Sequence, residues 1–189
     1  WEKADHSWTD DSIRIFNTPS TRAKQLFYYI QEIGHFKAMK PYFTERQNLK
    51  SYLLKFTFGG KGRLRYQGQV YTIEKDDIFF IDCMIYQHYA TVSDEPWEMD
   101  WIHFYGPNVE AFYEEYIKNG SNVFKAKNDR IHKIIKEIMD LQQTRNAKTE
   151  FQISLLIHEM LNEILMQKYD LGFEEKNIPD YILQIKNYL

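Results

Sequence analysis

The chain has 189 residues, 43% of them hydrophobic and 27% charged, with a net charge of −3. That is the length of one domain with a self-sufficient core, and the balance excludes disorder and a basic nucleic-acid footprint. One cysteine, Cys83, excludes an internal disulfide framework and a Cys-based zinc knuckle, and no apolar run reaches the roughly 18 residues that span a membrane. No secretory signal is visible, so a reduced, cytoplasmic domain is expected.

In chain order, residues 1–25 are polar and without sustained period; they predict an N-terminal arm with one short strand, Ile13 to Phe16. Its end is read as frayed, although an arm packed over a pocket is a functional alternative. The chain starts at Trp1, as a piece cut from a longer one would. Residues 26–106 predict about seven short strands. Of the chain's 31 aromatic residues, 22 lie in residues 1–105, which suits pleated, half-buried surfaces. Leu26–Phe36 and Tyr52–Phe58 are apolar runs. Gly62–Tyr66 and Gln69–Ile73 alternate around Gln67-Gly68, a hairpin pattern. Ile78–Ile81, His88–Val92 and Glu98–Tyr105 complete a sandwich or small barrel.

The character then changes. Pro107 and Asn119-Gly120 bracket a short helix over 107–119. Ile131, Ile134, Ile135, Ile138 and Leu141 predict an amphipathic helix, with Asn128 or Asp129 as its cap. Thr149 and Gln152 form a capping-box pattern before a longer helix. In that helix Ile153, Ile157, Met160, Leu161 and Ile164 belong to an apolar surface wider than one stripe. Such a helix must bury more than one side, against the chain itself or against a second copy. Residues 170–179 read as a linker, and Tyr181 to Leu189 starts a new helical pattern.

Chemistry-bearing patterns are sparse. The six histidines show no H-x-H or H-x-x-x-H pair, so a metal site would have to be assembled from His88, His103 and Asp100 or Glu98 without ligand spacing. No nucleophile elbow or phosphate loop is present, Cys83 reads as a core thiol, and Asp76-Asp77 reads as a turn. On the last predicted strand Met99, Trp101, His103 and Tyr105 share one face, opposite Asp100, Ile102 and Phe104. Trp and His beside Met suit a sugar, whose C–H faces stack on aromatic rings. Arg46, on a loop before a strand, offers a fork of donors, and Tyr89 a hydroxyl. The competing reading puts Trp101 in the core and Arg46 in a surface ion pair, as aromatics usually pack.

The order of these strings adds a resemblance: Arg46, Tyr52-Leu53-Leu54, Gly60 to Tyr66, Gly68, Tyr71, Asp77 to Ile81, His88-Tyr89, then Trp97 and Trp101 to Phe104. Over residues 26–189 the chain resembles the effector-binding domain of AraC-family bacterial transcription regulators. The resemblance implies an α+β fold, a cupin-type β-barrel over 26–106 followed by a helical dimerisation region over 107–169. It also implies a linker and the start of an omitted helix-turn-helix DNA-binding domain over 170–189. It further implies a small-molecule effector, a sugar or related metabolite, in the barrel. Effector contacts map onto Arg46, Tyr89 and Trp101, with His35, His88 and His103 as further lining. Dimerisation maps onto Ile153, Ile157, Met160, Leu161 and Ile164. No metal or cofactor, no enzymatic activity, no membrane partner, and DNA contact only through the omitted domain are expected. Met99 departs from the sugar-sensing pattern, which has a polar contact there. The rival readings are a small cupin isomerase or epimerase acting on a sugar, and a ligand-free dimerisation module with its barrel filled by its own aromatics.

Overall fold

The computed structural model describes residues 1–170; the predicted linker beyond Asp170 and the helical pattern over 181–189 lie outside the described residues. The elements are β1 (Glu2–Asp5), β2 (Ile13–Phe16), α1 (Thr21–Leu26), β3 (Tyr29–Ala38), β4 (Phe43–Arg46), β5 (Tyr52–Gly59), β6 (Gly62–Tyr66), β7 (Gln69–Ile73), β8 (Asp77–Asp82), β9 (Gln87–Thr91), β10 (Trp97–Tyr105), α2 (Val109–Tyr116), β11 (Val123–Lys125), α3 (Arg130–Gln143) and α4 (Thr149–Tyr169).

The strands form two antiparallel sheets, β1-β4-β9-β6-β7 and β11-β8-β5-β10-β3-β2. The six-stranded sheet is covered on both faces. Leu53, Phe79, Ile81, Met99 and Trp101 point between the sheets, while Leu54, Phe56, Ile78, Phe80, Ile102 and Phe104 point to the helices. Two buried faces explain why β8 reads as wholly apolar, whereas β6, buried on one face, alternates. The β6–β7 hairpin turns through Gln67 and Gly68, both at positive φ (48° and 76°), the geometry that matches strand twist across a two-residue turn.

Several boundaries differ from expectation. The run from Leu26 to Phe36 is divided: Ser20 caps the one-turn-plus α1 by accepting the Ala23 N–H (3.1 Å), and the strand begins only at Tyr29. The helix predicted over 107–119 is shorter, Val109–Tyr116. Thr149 is not a helix cap; its hydroxyl accepts the Asn146 N–H (2.9 Å), and Lys148 holds the cap position without a side-chain bond. Asp129 likewise makes no capping bond, while Asn128 Oδ1 accepts the Arg130 N–H (2.9 Å).

The N-terminal residues are not frayed. β1 pairs with β4 at the edge of one sheet and β2 pairs with β3 at the edge of the other. Ser20 also donates its N–H and hydroxyl to the two carboxylate oxygens of Glu150 on α4 (2.9 and 2.7 Å), and the Tyr28 N–H donates to Ser154 Oγ (3.1 Å). Residues 2–28 therefore run from the barrel edge to the last helix.

The five residues expected to mediate dimerisation, Ile153, Ile157, Met160, Leu161 and Ile164, lie on the inward side of α4. All are buried within one chain, in the cluster that α3 and α4 build against the six-stranded sheet. The apolar side chains that α4 leaves exposed are Phe151, Leu155 and Met166.

Candidate functional site

A cavity lies between the sheets beneath the N-terminal arm, walled by the arm residues Glu2, His6 and Trp8 and by barrel residues including Arg46, Lys55, Tyr89, Trp101 and His103. Its free volume is about 30 Å³, room for a couple of waters but not for a pentose.

β4 ends at Arg46, and register pairs Arg46 with Glu2 on β1, so the two side chains leave adjacent strands on the same side. Arg46 is 7% exposed. Its Nε donates to Glu2 Oε2 (2.6 Å), Nη2 meets the same carboxylate, and Nη1 donates to His103 Nε2 (2.9 Å). A nitrogen that accepts from a guanidinium carries no proton, so His103 holds its proton on Nδ1 and donates it to Ser51 Oγ (3.0 Å). Ser51 in turn donates to the Tyr52 carbonyl (3.2 Å). Burial, then the charge of Arg46, hold the His103 pKa well below its usual value, consistent with a neutral ring that orients Arg46.

Gly34 lets the Trp101 indole lie close across β3: a Cβ there would sit 2.8 Å from the indole and 2.2 Å from the Ile13 carbonyl oxygen. Trp101 packs on Phe36 (4.9 Å between ring centroids), and Phe36 stacks on Trp8 of the arm (4.3 Å). The Trp101 Nε1–H is buried without a partner, an unusual state for a strong donor. Tyr89 is fully interior, and burial pushes its hydroxyl pKa up to about 12. The Lys55 ammonium nitrogen lies 3.9 Å from the Tyr89 ring centroid and 3.2 Å from the Tyr42 hydroxyl, to which it donates.

Of the six residues assigned to effector contact, the cavity brings together Arg46, Tyr89, Trp101 and His103. Two are corrected. His88 lies outside this cavity and stacks on Phe43 (5.9 Å), because neighbouring residues of β9 face opposite ways. His35 lies on the helix side of the six-stranded sheet, where its Nδ1 meets Asp100 Oδ1 (2.7 Å). The loop position given to Arg46 is also corrected, since it closes a strand. Glu2, Trp8 and Lys55 went unrecognised in the sequence. Lys55 did carry a signal, a lone cation amid the apolar run of β5, whereas Glu2 carried none.

Asp100 is buried and serves two imidazoles, His35 and, from α3, His132 (Nδ1 to Oδ2, 2.6 Å). The hydrogen bond to Asp100 raises the His35 pKa above 6.5 despite partial burial. A raised folded-state value stabilises the protein below the unfolded pKa, and that contribution disappears as pH rises through the folded one. We expect urea midpoints measured from pH 5.5 to 8.5 to show this loss in the native chain relative to His35→Gln. A constant difference between the two across that range would remove His35 from the pH response.

Cys83 is a buried core thiol with its pKa pushed up to about 12 by burial. Among the described residues, no cluster of three or more His, Cys, Asp or Glu side chains is placed to hold a metal, and no helix is long and apolar enough to cross a membrane.

Comparison with solved structures adds three likenesses. The AraC-like transcriptional activator CuxR shares 8% identity at a TM-score of 0.50, over 84% of this chain and 61% of its own. A predicted oxalate decarboxylase from Thermotoga maritima shares 12% at 0.37, over 39% of this chain and 65% of its own. The Cnp3 cupin domain of Schizosaccharomyces pombe shares 9% at 0.41, over 56% and 74%. The chain thus spans less than two thirds of the first two. No curated protein matches the sequence. The fold is α+β, a cupin-type barrel of two antiparallel sheets followed by helices. The model of the AraC-like ligand binding domain matches residues 30–161, well over half of the chain, which therefore belongs to that family.

Proposed function

We propose that this chain is the effector-sensing part of a transcription regulator and not an enzyme. A small polar metabolite, a sugar or sugar acid, enters the barrel and alters how an attached DNA-binding domain sits on DNA. The observation that carries this reading is the buried Arg46 guanidinium, held by neutral His103 and, among the described residues, neutralised only by Glu2 from the arm. Glu2 occupies the place that an effector carboxylate or hydroxyl pair would take. The unpaired Trp101 N–H supplies a further donor in the same cavity wall. Given the small free volume, entry requires the arm to yield, so the effector favours the arm-released state over the closed one.

We also propose a homodimer through the exposed side of α4 around Phe151 and Leu155. The small cavity favours a second reading, a dimerisation module whose barrel is filled by its own side chains.

The two readings separate with Glu2→Ala, titrated calorimetrically against pentoses, hexoses and their sugar acids. A half-exposed ion pair contributes up to about 1 kcal/mol, so the effector should bind Glu2→Ala about fivefold tighter than the native chain. If no compound in the panel binds either protein, the ligand-free module is the better account.

A further inference from the structure

Lys55 is a further functional group in this cavity, and its surroundings are unlike those of a structural lysine. It sits mid-strand in β5, facing inward with Leu53 and Thr57, and is 2% exposed. Its nitrogen meets the Tyr42 hydroxyl at 3.2 Å, the Met99 sulfur at 3.3 Å and the faces of Tyr89 and Trp97 at 3.9 and 5.1 Å. Among the described residues, no carboxylate lies within ion-pair distance of it. An ammonium buried in this way lacks the charge partner that normally offsets desolvation, so the neutral amine is the relieved form. Burial, with the neighbouring Arg46 charge, holds its pKa well below the usual lysine value. A neutral amine in a closed cavity is a nucleophile, and the same cavity holds a guanidinium suited to anchor a carboxylate.

We propose that Lys55 captures a carbonyl compound bearing a carboxylate, a 2-oxo acid or aldehyde acid, as a reversible imine inside the barrel. The inference rests on the cavity being the effector site and narrows the class of effector it takes. The Lys55 Nζ lone pair forms a bond to the carbonyl carbon, and the carbonyl π electrons move to oxygen, which takes up a proton. The resulting carbinolamine loses its hydroxyl with one further proton as water, and nitrogen gives up its protons as the C=N bond forms. The balance is amine plus carbonyl to imine plus water, with no change of oxidation state. Tyr42, hydrogen-bonded to Nζ, is placed to relay the proton between nitrogen and oxygen. Hydrolysis reverses each step and releases the effector unchanged, as a sensor requires.

Glyoxylate is the test probe, at low concentration with cyanoborohydride at pH 6, followed by peptide mass mapping. An ordinary lysine is neutral at that pH in only about one molecule in 10⁴, so labelling of Lys55 should exceed that of exposed Lys61 by at least about tenfold. Arg46→Gln, with its fold checked by circular dichroism, should lower the Lys55 label and leave the Lys61 label unchanged. If labelling follows exposure and spares Lys55 while glyoxylate still raises the melting temperature through Arg46, the imine is overturned and the effector pocket stands. If glyoxylate neither labels Lys55 nor shifts the melting temperature, the imine is overturned and carboxylates leave the effector class.

Discussion

Replacing Arg46 with alanine should abolish effector binding, weakening it by about 100-fold or more, while the barrel still folds. Each charge-assisted hydrogen bond of a buried guanidinium contributes about 1.5–3 kcal/mol, and Arg46 can offer a fork of two to one carboxylate or to two hydroxyls. The cost to the fold is smaller. Glu2 is half-exposed and returns to water, and His103, being neutral, loses only one donor at Nε2. We expect a destabilisation of about 1–3 kcal/mol, read as a urea midpoint shift with unchanged slope. Arg46→Lys should not rescue binding, because an ammonium cannot reproduce the planar fork that spans Glu2 and His103. Calorimetry giving equal affinity for native and Arg46→Ala protein would remove Arg46 from the effector site.

Leu155→Glu should convert a dimer to a monomer. Leu155 is 72% exposed, the most exposed large apolar residue of the described chain, and faces away from the core that Ile157 and Leu161 join. Across a twofold interface each protomer buries its own copy, so the loss counts twice. At about 1.5–3 kcal/mol per buried leucine, and with two carboxylates brought together, the dissociation constant should rise by about 100-fold or more. Sedimentation velocity at a fixed micromolar concentration reads the change, with circular dichroism confirming intact helices. A native chain that sediments as a monomer, or a variant that stays dimeric, would remove this face from the assembly.

What could be read beforehand followed local rules. The β6–β7 hairpin was legible because strict alternation and a Gln-Gly turn describe the same object twice. The helix over Ile131 to Leu141 was legible because one apolar stripe fixes its period. β1, β4 and β11 were not, since, unlike the mostly apolar Ile13–Phe16 of β2, these three- and four-residue strands carry too little pattern of their own and form by pairing with a neighbouring edge. The same non-locality hid Glu2, whose role depends on register with a strand some forty residues away. His35 pairs directly with Asp100 in the β3–β10 register and so shares its face, opposite Trp101, a placement that depends on knowing which residues of the two strands stand side by side. The covering of α4 was hidden for a different reason. Periodicity reports that a side is apolar, not which neighbour covers it, and the strongest stripe was claimed by the chain's own sheet.

The grip of Ser20 and Tyr28 on Glu150 and Ser154 has a kinetic corollary. When Glu2 lets go of Arg46, the leading segment stays moored to α4, about twenty residues away along the chain. Its return to the barrel is then a first-order event at high local concentration, independent of how dilute the protein is. Resealing after the effector departs should therefore be quick and insensitive to protein concentration, so the duration of a signal would be set by the residence of the small molecule itself.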